Sequence, residues 1–191
     1  MKKAVALLLV FLLLFTGCVS SENKKAVNDT LERYFTALNS GDFEKANKMT
    51  VQAEENISAT IKDASGNKLI FNDITYDVWD ISQRDGVLIA ETVITQKSLK
   101  AAYIDTVSEY ATYVEDAKSK NKEFTDKALE DKWNEIFYKH VSDTKETVSM
   151  KCEIFIAFND DGSTYIYMTS DFRNCLFGGE LDAINSIKEK K

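Results

Sequence analysis

The stretch Ala26-Val-Asn-Asp-Thr-Leu-Glu-Arg-Tyr-Phe-Thr-Ala-Leu-Asn-Ser-Gly-Asp-Phe-Glu-Lys-Ala-Asn-Lys-Met49 decides how this chain begins to fold. Its apolar residues return every three or four positions, which is the spacing of one helix face: Val27, Leu31, Tyr34, Phe35 and Leu38. The polar run that starts at Asn39 stops this helix, and Asp42 is a predicted N-cap for a second one. Phe43, Ala46 and Met49 form the stripe that the second helix buries. The sequence therefore predicts two helices that meet at a tight corner.

Downstream of this pair, the pattern predicts one more helix and then a β-hairpin. Helical spacing continues through Ala53, Ile57, Ile61 and Ala64 until Ser65-Gly66-Asn67 breaks it. From Lys68 the period changes to two, with Ile74, Tyr76 and Val78 on one face and Thr75, Asp77 and Trp79 on the other. Asp85-Gly86 is a hairpin-turn signal, and Val87 to Thr95 is the returning strand.

The second half of the chain repeats this order, with helices before a hairpin. One helical pattern holds Leu99, Tyr103, Val107, Tyr110, Val114 and Ala117, and another begins near Thr125-Asp126 and runs past His140. Thr147 to Phe158 alternates, Asn159 to Gly162 turns, Thr164 to Ser170 pairs back, and Leu181, Ile184 and Ile187 indicate a short last helix. We therefore predict an α+β fold. N-terminal helices pack on a curved antiparallel sheet, with a two-helix insertion between the hairpins.

The segment Leu38-x-x-Gly41-Asp42-Phe43-x-x-Ala46, after an amphipathic helix, resembles the opening of the NTF2-like (cystatin-like α+β) superfamily. Many exported lipoproteins of unknown function share this opening. The resemblance implies a cone-shaped NTF2-like domain over residues 26–191, and two helices between the hairpins are more than the minimal fold carries. It indicates a fold and no activity, because that fold hosts enzymes, binding modules and scaffolds alike.

The first eighteen residues have the pattern of an export signal. Lys2 and Lys3 precede twelve apolar residues, a run within the roughly 7–15 of a signal peptide and short of the roughly 20 that span a membrane. The run ends in Leu14-Phe15-Thr16-Gly17-Cys18, which resembles the lipobox of prokaryotic lipoproteins, with Phe15 in place of the usual Leu. The resemblance implies a signal peptide over 1–17 and acyl chains such as palmitate on Cys18. An ordinary signal peptide cut elsewhere and an uncleaved N-terminal anchor are the alternatives.

This signal sets the expected location and the expected partners. Residues 18–25 are predicted to be the lipidated cysteine and a short tether, which holds the domain at the extracytoplasmic side of the cell membrane. The precursor carries 24 basic and 31 acidic side chains, a formal charge of −7. Loss of Lys2 and Lys3 leaves 22 against 31, or −9. An acidic domain is repelled by nucleic acid and by anionic membrane surfaces, so the lipid is the predicted membrane contact.

The other two cysteines, Cys152 and Cys175, form a pair in a chain that is expected to be exported. Cys152 shares an alternating face with Ile154 and Ile156, and points into the predicted core. A disulfide and two free, buried thiols are both open. No spacing resembles a zinc site, and the Asn159 to Gly162 segment lacks the ligands of a calcium loop, so we expect neither a metal nor another cofactor.

The sequence contains no catalytic motif. Ketosteroid isomerases and dehydratases of the superfamily use Asp, His and Tyr in an apolar cone, for which this chain offers Asp73, Asp77, Asp80, Tyr76, Tyr103 and its sole histidine, His140. The candidate pocket residues are Tyr76, Trp79, Tyr103, Tyr110, Trp133, His140 and Tyr165, with core packing as the alternative for the aromatic ones. We expect a non-catalytic domain that binds a small apolar ligand or an envelope protein. A small enzyme of the isomerase or dehydratase type and a structural or assembly subunit are the alternatives.

Overall fold

The computed structural model describes residues 19–55, 58–61, 65–121, 123–159 and 162–188, which excludes the predicted signal peptide and Cys18. Seven helices and five strands lie in this described part, and they confirm the α+β class. In chain order they are α1 (Ser21–Ser40), α2 (Phe43–Lys48), β1 (Thr50–Gln52), α3 (Ser65–Phe71), β2 (Thr75–Arg84), β3 (Val87–Lys97), α4 (Leu99–Ser119), α5 (Asp126–Asp143), β4 (Thr147–Phe158), β5 (Thr164–Met168), α6 (Ser170–Leu176) and α7 (Glu180–Lys188).

The two N-terminal helices form as predicted, with Gly41 at the corner between them. Gly41 has a φ of 74°, the left-handed conformation that glycine adopts without steric cost. Asp42 caps α2, because its carboxylate accepts a hydrogen bond of 3.0 Å from the backbone N–H of Lys45. The predicted faces of both helices are buried: Val27, Leu31, Tyr34, Phe35 and Leu38 in α1, and Phe43 and Ala46 in α2.

Helix α1 begins inside the stretch that we predict as a tether. The Ser20 hydroxyl accepts a hydrogen bond of 3.1 Å from the backbone N–H of Asn23. This bond satisfies one of the free amides at a helix start, and Glu22 adds a favourable charge to the first turn. Ser21–Lys25 is therefore helical and continuous with the rest of α1.

The third predicted helix, over Ala53 to Ala64, is wrong for the described residues of that segment. The N–H of Ala53 donates to the carbonyl of Met168 and so prolongs the pairing of β1 with β5. Asn47 holds Ile61 by two bonds of 2.8 Å, because its amide donates to the carbonyl of Ile61 and accepts from its N–H. The backbone groups of Ala53 and Ile61 thus form hydrogen bonds with residues outside this segment, and not the bonds of a helix.

The helix that does form, α3, contains the residues predicted to break one. Gly66 lies against the ring of Tyr138 in α5, where a Cβ atom would sit 2.0 Å from a ring carbon. Glycine is required here because two helices approach each other closely, and not because the chain turns. This requirement comes from a distant residue, so the local sequence does not reveal it.

The five strands form one curved, open sheet in the order β1-β5-β4-β3-β2. Strands β2 to β5 pair antiparallel with their neighbours, whereas β1 pairs parallel with β5, Thr50 opposite Ile166. The sheet is therefore mixed, and our prediction of a fully antiparallel sheet is corrected at this edge. A three-residue strand is too short to show an alternating pattern in the sequence.

One face of the sheet carries the core. Leu88 and Ala90 of β3 lie opposite Ile156 and Ile154 of β4, and all four are fully buried. They belong to the same apolar cluster as the buried faces of α1 and α2. Each such Leu, Ile or Phe contributes roughly 1.5–3 kcal/mol when it leaves water, so this contact between helices and sheet is the main source of stability.

The β2–β3 hairpin turns at Asp85-Gly86 as predicted, and both residues have positive φ, as a tight two-residue hairpin requires. A bulge at Trp79 interrupts the ladder, since Val78 pairs with Thr92 and Asp80 with Glu91. The extra residue shifts the alternation by one position. Ile81 therefore packs on the core, whereas Trp79 is 58% exposed.

Helices α4 and α5 lie between the two hairpins and pack against each other, as predicted. Thr125 caps α5 by accepting a hydrogen bond of 3.2 Å from the N–H of Ala128. Ser98 precedes α4 but makes no side-chain cap. Instead, the carbonyl of Gly178 accepts from the N–H groups of Leu99 and Lys100 at 3.1 and 3.3 Å. Gly178 in the C-terminal segment thus caps the N-terminus of α4.

Strand β5 ends at Met168, before the predicted limit of Ser170, and α6 follows at once. Thr169 caps α6 by accepting from the N–H of Phe172 at 3.2 Å. This helix covers the edge of β4 that β5 leaves unpaired: the Cys175 thiol lies 3.5 Å from the carbonyl of Lys151. The predicted last helix forms as α7.

Candidate functional site

Three of the seven predicted pocket residues lie together between α4 and α5. The ring of Trp133 is 5.5 Å from that of Tyr103 and 5.3 Å from that of Tyr110, both in edge-to-face contact. This is the arrangement that aromatic pairs prefer. Phe137 extends the row, with its ring 6.4 Å from that of Tyr103. We call these four side chains the aromatic row; they join α4 to α5 along their length.

The other aromatic candidates lie elsewhere in the fold. Tyr76 stacks on Phe35 of α1, with ring centroids 4.3 Å apart. Tyr165 alternates with the buried Ile166, so it lies on the sheet face opposite the core, where its hydroxyl is 3.2 Å from that of Tyr167. Trp79 stands at the bulge with the ammonium of Lys151 5.6 Å from its ring centre. The structure therefore does not bring the predicted residues into one pocket.

His140 belongs to a charged cluster on the outside of the helical pair. Its Nε2 is 2.9 Å from Oε2 of Glu109 in α4, and the Lys139 ammonium lies 3.1 Å from the same oxygen. Hydrogen bonding to Lys139, with a smaller contribution from His140, holds the pKa of Glu109 below its usual range. The cleft beside His140 is open, with a volume of ≈ 270 Å³ and an acidic rim that includes Asp105, Asp143 and Glu146.

The two cysteines meet where α6 covers β4. Both are buried as free thiols, Cys152 at 7% and Cys175 at 1% exposure, and the Cys175 sulfur lies 3.5 Å from the carbonyl oxygen of Lys151, next to Cys152. The neighbouring Cys175 thiol and burial raise the pKa of the Cys152 thiol. The thiolate, which is the reactive form of cysteine, is thereby disfavoured in the folded protein.

A cleft that the sequence did not indicate lies between α3, α5 and α6. It has a volume of ≈ 340 Å³, and Tyr138, Asn134, Glu130, Arg173 and Phe177 are among its lining residues. The Arg173 guanidinium lies 4.3 Å from the ring centre of Phe177 and donates to the carbonyl of Ser58 at 3.3 Å. A cation held over an aromatic ring, beside a tyrosine and an amide, can bind an anionic or polar group.

Glu180, at the start of α7, is electrostatically coupled to this cleft. Burial raises the pKa of its carboxyl group, and the charge of Arg173 opposes that rise. Burial and then Glu180 raise the pKa of Tyr138, and the same holds for Tyr103 in the aromatic row. A carboxyl group whose pKa is raised by burial, within electrostatic range of two tyrosines, is a candidate for proton transfer.

A larger groove runs between α1 and the turn that joins β4 to β5. Its volume is ≈ 680 Å³, and its lining mixes both charges with an apolar residue: Asp29, Glu32, Arg33, Lys45 and Phe158. Arg33 donates to the Thr164 hydroxyl at 3.3 Å, and the Thr30 hydroxyl is 2.6 Å from the same oxygen. Phe158 is 41% exposed at its rim. We call this the α1 groove.

Sequence reasoning missed the α1 groove and the Arg173 cleft for one reason. The residues of each come from three or more elements, and no spacing rule links Arg173 in α6 to Tyr138 in α5, or Arg33 in α1 to Thr164 in β5. Composition gave a partial signal for these two sites. Arg33 and Arg173 are two of the few arginines in a chain whose basic residues are mostly lysines.

Comparison with known proteins gives no relative for this chain: no family model matches, and neither the curated proteins nor the solved structures contain a match. No helix within the described residues is long and apolar enough to cross a membrane. Within the same residues, no group of three or more His, Cys, Asp or Glu side chains is placed to hold a metal ion.

Proposed function

We propose that this chain is an exported lipoprotein, held by lipid on Cys18 at the extracytoplasmic face of the cell membrane, whose domain binds an envelope protein without catalysis. The observation that carries the proposal is the pattern from Lys2 to Cys18, a basic start, a short apolar run and a small residue before cysteine. Two or three acyl chains supply stable attachment, because each buried methylene contributes about 0.8 kcal/mol.

The α1 groove supports a protein partner rather than a small apolar ligand. Its lining carries Arg33 and Lys45 beside Asp29 and Glu32, and it is open to solvent. Small apolar ligands are bound in enclosed, mostly apolar cavities, whereas protein partners bind at open surfaces that combine charges with exposed aromatic residues. Phe158 supplies such a residue.

The groove also lies near the proposed anchor along the chain. α1 begins at Ser21, three residues after Cys18, and a helix rises about 1.5 Å per residue, so Arg33 is roughly 20 Å from the start of α1. A partner in the groove would therefore be held within a few tens of ångströms of the membrane, roughly the diameter of a small domain.

Lipid attachment is tested by Cys18→Ala in cells that are supplied with labelled palmitate. The wild-type chain is expected to carry label and to sediment with membranes, and the variant to lose both properties. The Cys152→Ala/Cys175→Ala variant is the matched control and should keep them. An unlabelled wild-type chain, or an intact mass that retains residues 1–17, would refute the lipoprotein assignment.

Partner binding is tested by cross-linking and affinity capture from envelope extracts with a charge reversal in the groove. Arg33→Glu is expected to reduce capture of a specific envelope protein at least tenfold. Arg84→Glu, an equal charge change on an exposed residue at the end of β2, should leave capture unchanged. Equal capture by both variants would remove the α1 groove as the binding surface. An apolar small molecule that co-purifies in native mass spectrometry would favour the ligand alternative.

We also propose that the domain has the finer NTF2-like form. The helix pair with its Gly41 corner, and a curved, open sheet around α1, support this assignment. A crystal structure of the mature protein, superposed on NTF2-like domains, is the test. Strands that do not narrow to a cone would contradict it.

One observation favours a second candidate function, an enzyme of the isomerase or dehydratase type. Burial raises the pKa of Glu180, and the charge of Glu180 contributes to the raised pKa values of Tyr103 and Tyr138, so a carboxyl group and two phenols are electrostatically coupled. Turnover of a β,γ-unsaturated ketone by the purified protein, abolished in Glu180→Gln, would support this function. No turnover by the wild-type protein would leave the binding function.

A further inference from the structure

We propose that Cys152 and Cys175 become joined by a disulfide bond that fastens α6 to the uncovered edge of β4. The inference goes beyond partner binding, although it rests on the export clause of the proposed function, because disulfides persist in oxidising compartments outside the cytoplasm. Sequence alone left a bridge and two free thiols equally open. The placement of α6 beside β4 favours the bridge.

The fold brings the two side chains together from separate elements. Cys152 is in the middle of β4, opposite Thr92 of β3, and Cys175 is in the last turn of α6. The Cys175 sulfur lies 3.5 Å from the carbonyl oxygen of Lys151, the residue before Cys152, and the neighbouring Cys175 thiol raises the pKa of Cys152. The two cysteines are thus neighbours across the contact between β4 and α6, which is the arrangement that a disulfide between these elements requires.

The contact is fixed by packing on both sides of Cys175. Phe172 and Leu176, also in α6, are fully buried in the core cluster, and Thr169 caps the start of the helix. The position of the Cys175 thiol beside β4 thus follows from three neighbouring residues and does not depend on the bond itself.

The bond forms by thiol–disulfide exchange. The two thiols lose two protons and two electrons, and a disulfide oxidant takes them up and becomes two thiols, as oxidised glutathione or an envelope thiol oxidoreductase does. The first step is attack by one thiolate on the oxidant, and the second cysteine then displaces it. Both thiols are buried and the pKa of Cys152 is raised in the folded state, so exchange takes place before α6 has docked.

The bond would close a loop from residue 152 to residue 175, which contains the end of β4, the turn between β4 and β5, all of β5 and all but the last residue of α6. Such a cross-link reduces the freedom of the unfolded chain more than that of the folded one. It therefore stabilises the pairing of β4 with β5 and, through β5, the parallel edge strand β1.

The test is refolding of the purified mature chain in oxidised and reduced glutathione, followed by tryptic mapping. Trypsin cuts after Lys151, Arg173 and Lys188, so Cys152 and Cys175 fall on separate peptides, 152–173 and 174–188. We expect these peptides to be linked, the intact mass to fall by two hydrogen atoms, and the melting temperature to rise by roughly 5–10 °C over the reduced protein. Cys152→Ala/Cys175→Ala is the control and should melt equally in both buffers.

Three outcomes would overturn the proposal: native protein with two alkylatable thiols, stable glutathione adducts, or linkage between different chains. Refolding in vitro does not require export, so its failure is separate from failure of the lipoprotein assignment. Thiols trapped by alkylation in whole cells complete the test. A linked pair supports the bond in the exported protein, and two free thiols in a palmitate-labelled chain refute it there.

Discussion

At the residue scale, Glu180 is a carboxyl group in a partly buried environment. A carboxylate is stable in water, and burial raises the pKa of Glu180 against the opposing charge of Arg173. Such a group binds its proton more tightly in the folded than in the unfolded state. By linkage, the folded protein then loses stability as the pH rises from the unfolded value, about 4.5, through the raised folded value.

Glu180→Gln is therefore expected to remove this pH dependence. Below about pH 4 the variant and the wild-type protein should have similar stability, and the variant should become the more stable of the two as the pH is raised to 7. Denaturant unfolding at a series of pH values measures the difference. Glu130→Gln, on an exposed residue of the same cleft, serves as control and should show no such trend. A difference between Glu180→Gln and wild type that is constant with pH would contradict the assignment.

Cap residues could be predicted from the sequence, and the paired residues of the clefts could not. Asp42 and Thr125 bond to a backbone N–H three positions away, so the rule that identifies them is local. Arg173 and Tyr138 share a cleft only because α6 and α5 meet in space. The partner of His140 could not be predicted from the sequence either, because Glu109 is on another helix.

At the scale of elements, the length of a helix or strand and the position of its packing partner determine whether the sequence predicts it. α1 and β4 have long, regular patterns, and both lie where the spacing predicts them. β1, α3 and α6 have at most seven residues each, and each is stabilised by a distant neighbour: β5, Tyr138 and the edge of β4. Tertiary contacts override weak local preference in such short elements.

The junction between α6 and α7 is a contact of this kind, and Gly178 is its critical residue. Its φ is 52°, and a Cβ atom would lie 2.1 Å from the carbonyl oxygen of Lys97. Gly178→Ala is expected to cost roughly 2–5 kcal/mol in the free energy of unfolding, from left-handed strain together with overpacking against backbone. Chemical denaturation provides the measurement.

Gly86 provides the matched control for Gly178. It has a φ of 83° in the β2–β3 turn, but nothing lies within 4 Å of the place of a Cβ atom. Gly86→Ala should therefore cost only the backbone strain, roughly 1–2 kcal/mol. Equal losses for the two variants would show that the close approach to Lys97 contributes nothing.

At the scale of the whole molecule, the packing is uneven. Strands β3 and β4 are paired over ten residue positions and covered by α1, whereas α4 and α5 extend away from that core. Among the described residues from Val107 to Glu135, Ala117 is the only fully buried one. The aromatic row holds this far part of the helical pair together.

Hydrogen exchange should reflect this difference. Amides of β3 and β4 are expected to exchange only through global unfolding, and those from Val107 to Glu135 at least a hundredfold faster, by local opening. Exchange followed by mass spectrometry resolves the two regions. Trp133→Ala, which removes the centre of the aromatic row, should accelerate exchange in α4 and α5 alone. Uniform protection across the chain would contradict this division.

The parallel pairing of β1 with β5 has a consequence for how the protein is made. Thr50–Gln52 leaves the ribosome well before its partner, Thr164–Met168. The sheet therefore cannot be completed until β5 has been synthesised, and β4 keeps a bare edge until then. Chains that end before Thr164 would present that edge to other chains, which is the surface on which aggregation begins. Such prematurely terminated products are expected to be substrates for proteolytic quality control, whereas chains that include β5 cover this edge.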